Sequence, residues 1–119
     1  MNQSLAMLAA HPKPRMLDME VIKACEHRLD AIRVCVQCSR LSNETICGML
    51  GLDNGHFTRM MQGRAHFPDA KANLLMEVCG NFAPLQYEAW SNGFELIEQS
   101  KDARIKELES LLKQLKEAA

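Results

Sequence analysis

Residues 42–63 read SNETICGMLGLDNGHFTRMMQG, and their punctuation decides the fold. An apolar run stops at Gly51, restarts after Asp53 and stops again at Gly63. Ser42 opens the run with Glu44 in the first turn, the composition of a helix start whose side-chain oxygen caps a free amide. Ile46, Cys47, Met49 and Leu50 supply a buried stripe, and Gly51 ends the helix because a left-handed terminal residue is least strained without a Cβ. Asp53 then caps a second helix, NGHFTRMMQ. Phe57, Met60 and Met61 face inward; Asn54, Gly55, Thr58, Arg59 and Gln62 face outward. The stretch predicts two short helices set at a steep angle by a tight turn, with Leu52 plugging the angle.

Working outward, residues 17–38 place Val21, Ile22, Cys25, Leu29, Ile32, Val36 and Cys38 at steps suited to one amphipathic helix ending near Arg40. After RAHFP, Pro68 or Asp69 begins a fourth helix, DAKANLLMEVCG, which packs Leu74, Leu75 and Val78 and ends at Gly80-Asn81. PLQYEAW suits a fifth, with Pro84 at its first position and Asn92-Gly93 as the break. The domain therefore spans residues 17–93. Residues 1–16 read as a flexible, proline-ended arm, and 94–119 as a separate amphipathic helix.

The segment LSNETICGMLGLDNGHFTRMMQGRAHFP resembles the lambda-repressor/Cro-type helix-turn-helix family, and the match extends over residues 40 to 80. The downstream CGNFAPLQYEAWSNGFEL and its charged helical tail look like small phage and prophage regulators that append an oligomerising helix. Cys47 stands where the family usually has a small Ala, and Gly55 is uncommon inside a reading helix. The resemblance implies an all-α, five-helix lambda-repressor-like domain plus a C-terminal helix. It also implies binding of double-stranded DNA, with the helix at 53–62 in the major groove.

Carried over position by position, the resemblance puts Asn54, Gly55 and Arg59 among the base contacts, with His56 and Thr58 beside them. Arg59 suits a bidentate pair with guanine and Asn54 one with adenine, each discriminating by about 1–3 kcal/mol. Ser42, Asn43, Thr45, Gln62, Arg64 and His66 lie on helix starts or just past the reading helix and suit phosphate contact. His11 and His27 have no chemical task on this reading.

In the tail, Ile105, Leu108, Leu112, Leu115 and Ala119 follow alternating steps of three and four, and Leu111 widens the seam. A helix this short is marginal alone in water, so its leucines need a partner surface. Self-association into a dimer or tetramer meets that need; folding back onto the chain's own core is the alternative. A dimer also presents two reading helices about 34–36 Å apart, one turn of duplex.

Composition sets the outer bounds. The chain has 119 residues with 47% hydrophobic and 5% aromatic content, a balance that favours helices over a β-sandwich. The formal net charge is −1. Between Ser39 and Ala72, four cations (Arg40, Arg59, Arg64, Lys71) face three anions (Glu44, Asp53, Asp69). So small a surplus opposes indiscriminate polyanion binding and makes oligomerisation useful for affinity. No apolar run is long enough for a membrane span, no basic segment precedes the apolar patch at the start, and a cytoplasmic location is expected.

Five cysteines and the pair in CVQC (Cys35, Cys38), with Cys25 and His27 upstream, raise a zinc reading. Helical periodicity and the lack of turn residues around CVQC favour packing instead, so no metal and no cofactor is expected. Cys38 near His27 is the only candidate nucleophile–base pair, and both sit on a helix expected to be packed; with no phosphate-cradling loop besides, an enzyme is not expected. The rival to a DNA-binding regulator is an interaction protein that docks partners through the C-terminal helix.

Overall fold

The structure is a computed structural model that describes residues 14–99 and 101–118. Its elements are helices: α1 Met19–Lys23, α2 Arg28–Ser39, α3 Asn43–Leu50, α4 Asn54–Met61, α5 Ala72–Cys79, α6 Ala83–Ser91 and α7 Lys101–Ala118, with a 3-10 turn at Asp69–Lys71. Among the described residues there is no strand, only an isolated bridge between Arg15 and Asn81, and the chain is all-α. Among the described residues no helix is long and apolar enough to cross a membrane.

The helix expected over 17–38 is two helices. Asp18 caps α1 through the Glu20 amide, and the chain leaves helical geometry after Lys23. The Asp30 carboxylate then accepts the amides of Glu26 and His27, both at 3.0 Å, and so starts α2. Those two amide hydrogen bonds hold the Asp30 carboxyl below the ordinary carboxylate range. The break also shifts the buried face: Ala31, Ile32, Cys35 and Val36 are buried, whereas Val21 and Cys38 are exposed. Apolar residues happen to fall at helical steps across the break, which hides it from a periodicity argument. The expected five-helix domain thus has six helices.

α2 is the central element and packs against α4, α5 and α6, while α3 packs on α4 and α5. The core is built of Ile22, Ile32, Ile46, Leu50, Phe57, Met60, Leu75 and Val78. Two buried amides tie segments together: Gln86 holds the chain's first described residues, and Asn81 joins the turn after α5 to α2 and to the start of α6. Gln86 accepts the Leu17 amide at 2.8 Å and donates to the Leu17 carbonyl at 2.9 Å. Asn81 donates to the Cys35 carbonyl at 3.1 Å and accepts the Ala83 amide. Arg15 adds backbone bonds to Gly80 and Phe82. The arm expected over 1–16 lies outside the described residues except for its last three positions, and Arg15 is bound to the domain. His11 and Ala119 also lie outside the described residues.

The α1–α2 break is closed from above by α6. The Tyr87 hydroxyl donates to the Glu26 carbonyl at 2.9 Å, and Lys23 lies over the Trp90 ring, 5.1 Å from its centroid. Beyond Gly93, Leu96 stays half-buried beside Phe82 and Leu85, but its apolar neighbours lose their cover. Phe94 and Ile97 are exposed, as is the whole of 104–118.

Two measurements check this framework. Gln86→Leu strands both polar groups of Leu17 and is expected to lower the unfolding free energy in urea by about 1–3 kcal/mol. Asp30 is stabilised as the anion in the fold, so its contribution is present above the unfolded carboxyl value of about 3.9 and fades as pH falls through the lower folded value. Asp30→Asn is therefore expected to be less stable than the parent at pH 7 and to lose less stability on acidification through that window.

Candidate nucleic-acid interface

Each boundary of the α3–α4 unit rests on a named local interaction. Ser42 Oγ accepts the Thr45 amide at 3.1 Å and closes a further contact with the Thr45 hydroxyl at 2.8 Å. At the other end of α3, Gly51 adopts φ 69°, and the Cys47 carbonyl receives both the Gly51 amide and, at 3.0 Å, the Leu52 amide. Leu52 packs half-buried against the core. Asp53 Oδ2 accepts the His56 amide at 3.1 Å and begins α4. Phe57 and Met60 are fully buried, and Met61 is half-buried.

The opposite face of α4 is open. Asn54, Gly55, Thr58, Arg59 and Gln62 are exposed and His56 is half-buried. The Thr58 hydroxyl donates to the Asn54 carbonyl at 2.9 Å, leaving its oxygen outward as an acceptor. Arg59 curls back along the helix, with Nη2 3.4 Å from His56 Nδ1. Gly55 sits beneath this arrangement. A Cβ there would lie 3.2 Å from the Asp53 carboxylate and 3.7 Å from Arg59 Nη1, so the glycine leaves room for the cap and for the guanidinium.

The flanking positions fall at the two ends of this face. Ser42 and Asn43 are exposed at the start of α3, and Thr45 is half-buried with its hydroxyl engaged by Ser42. Arg64 and His66 are exposed just past α4, after a left-handed Gly63 with φ 77°. The positions singled out for base and phosphate contact therefore lie along α4 and at its two flanks. None of them contributes its side chain to the buried core.

Several residues that shape this face carry no local sequence signal. Lys71 Nζ donates to the Leu50 carbonyl at 2.8 Å, capping the C-terminal end of α3 from the 3-10 turn. Arg33 Nε donates to the Met61 carbonyl at 2.7 Å and does the same for α4 from α2. Both put a cation where a helix dipole is negative. Of the cations counted in this region, Lys71 is thus committed to the fold. Arg40 is exposed and left-handed, with φ 60°, a conformation that costs a non-glycine residue about 1–2 kcal/mol.

The thiols offer no comparable site. CVQC lies within α2 with Cys35 buried and Cys38 exposed, and among the described residues no group of three His, Cys, Asp or Glu side chains could hold a metal ion. The Cys35 thiol donates to the Asn81 carbonyl at 3.9 Å, and the neighbouring Cys79 thiol together with burial pushes it above the ordinary range. Burial, aided by the Asp53 carboxylate, also raises the Cys47 thiol.

No family model matches the chain, and neither a curated protein nor a solved structure matches it significantly. The functional reading accordingly rests on residues and geometry.

Two glycines three residues apart test the turn. Gly51→Ala forces a Cβ into a left-handed position and is expected to reduce stability by about 1–2 kcal/mol. Gly48→Ala adds a methyl where nothing lies within 4 Å and is expected to raise it by up to about 1 kcal/mol. Urea denaturation of the two variants beside the parent gives both signs.

Proposed function

We propose that this protein is a sequence-specific, DNA-binding transcription regulator of the phage or prophage type, built on a lambda-repressor-like helix-turn-helix and acting as a homo-oligomer. α4 is its reading helix. The observation that carries the proposal is the division of α4 into two faces. Phe57 and Met60 anchor one face in the core, while Asn54, Gly55, Thr58, Arg59 and Gln62 stand free on the other. A helix whose orientation is set from behind, and whose polar side chains are uncovered in front, suits insertion into a major groove.

Asn54, His56, Thr58 and Arg59 meet base edges in this reading, with Gly55 admitting close approach at the helix start. Ser42, Asn43 and Thr45 on one side and Gln62, Arg64 and His66 on the other meet the sugar–phosphate backbone. The small positive surplus of the unit makes a single copy a weak binder, which gives the C-terminal helix its task. Ile105, Leu108, Leu111, Leu112 and Leu115 are roughly half to two-thirds exposed, from 49% at Leu108 to 68% at Leu115. They are free to join copies through their seam as a dimer or tetramer. Two linked reading helices turn two weak half-site contacts into one stable complex.

Selection of bound duplexes from a random pool tests the proposal. The expected product carries two half-sites one helical turn apart, and Asn54→Ala/Arg59→Ala loses the enrichment while keeping its helical content and oligomeric state. An unenriched pool at modest salt contradicts DNA reading and leaves the C-terminal helix as a docking element for other proteins.

A further inference from the structure

A groove of about 440 Å³ opens where α4 ends. Its apolar floor is Leu29, Ile32 and Phe67, and its polar lining is Arg28, Arg64 and His66, with no acidic side chain. Gly63 makes this shape possible. Its left-handed φ of 77° turns the chain after α4 back toward Leu29 at the start of α2, a conformation that favours a residue without a Cβ. The turn thereby brings Arg28, distant in sequence from the reading helix, into one concave surface with Arg64 and His66.

Arg28 stands on a ridge. On its other side a second groove is lined by Asp69 and Glu88, and Arg28 Nη2 pairs with Asp69 Oδ1 at 2.7 Å. The two side chains are 42% and 80% exposed, and an ion pair so open to water contributes little to stability. That contact leaves other guanidinium donors for a second anion. A phosphate oxygen pair suits those donors better than it suits a lysine, because the guanidinium fork is planar and bidentate.

The geometry points to Arg28 as a further DNA-backbone contact: with Arg64 and His66 it forms a phosphate-binding groove flanking the reading helix, and Asp69 holds the guanidinium until a DNA phosphate replaces it. This rests on the DNA-binding reading and adds to it a residue outside the α3–α4 unit. It also extends the backbone contacts of one copy from the helix ends onto α2.

The test is the salt dependence of binding of the full chain to a DNA duplex enriched from the random pool, followed by fluorescence anisotropy. Each phosphate contact contributes about 0.9 to the slope of log K against log salt. Arg28→Gln is expected to lower the magnitude of that slope by about this amount, and Arg28→Lys, which keeps the charge, to retain most of it. Asp69→Asn is expected to tighten binding in the parent but not in the Arg28→Gln background, since its effect passes through Arg28. A slope unchanged in Arg28→Gln, or lowered equally in Arg28→Lys, overturns the assignment while DNA binding by the parent upholds the broader reading. Failure of the parent to enrich or bind any duplex from the random pool overturns both.

Discussion

The left-handed turn at Gly51 is the constraint on which the rest of the molecule depends. The Cys47 carbonyl gathers the Gly51 and Leu52 amides, and Asp53 can then cap α4 only along one direction. From this follow the burial of Phe57 and Met60 and the exposure of Asn54 and Arg59. Lys71 reinforces the turn by donating to the Leu50 carbonyl, so the end of α3 is held from a segment twenty residues on. Arg33 holds the end of α4 in the same manner. Two cations are therefore used for orientation rather than for ligand contact, and the face they orient has modest charge. Such a face suits selective recognition better than general attraction to polyanions.

The second consequence concerns division of labour along the chain. The domain from Arg15 to Ser91 closes its own polar groups: Gln86 and Asn81 are buried yet fully bonded, and among the described residues no buried side-chain nitrogen or oxygen lacks a partner. The segment beyond Gly93 does the opposite, keeping Phe94, Ile97 and the leucines of α7 in contact with water. A domain with its polar groups satisfied is thus joined to a helix whose apolar side chains its own core does not cover.

What could be read directly from the chain was the local grammar. Ser42, Gly51, Asp53 and Gly63 each act within three or four residues of themselves, and each sits at the boundary its residue type suggests. The break between α1 and α2 was not legible, because Ile22, Cys25, Leu29 and Ile32 keep helical spacing while Asp30 interrupts the helix with its carboxylate. Lys71 and Arg33 were equally opaque: a cation bonded to a distant carbonyl looks like any surface cation. Gln86 and Asn81 are polar residues whose burial no local pattern signals, and packing places them in the core. The candidate interface was therefore visible as a set of positions, whereas the residues that aim it, and the approach of Arg28 to Arg64 and His66, exist only in three dimensions.

The most direct test is an amide chemical-shift map of the isotopically labelled full chain as a DNA duplex enriched from a random pool is added at low salt. The largest changes are expected at residues 54–59, with flanking changes at 42–45 and 62–66, while the core amides of α5 and α6 stay in place. Changes centred on another surface, with the α4 amides unmoved, would contradict the placement of that helix in a DNA groove.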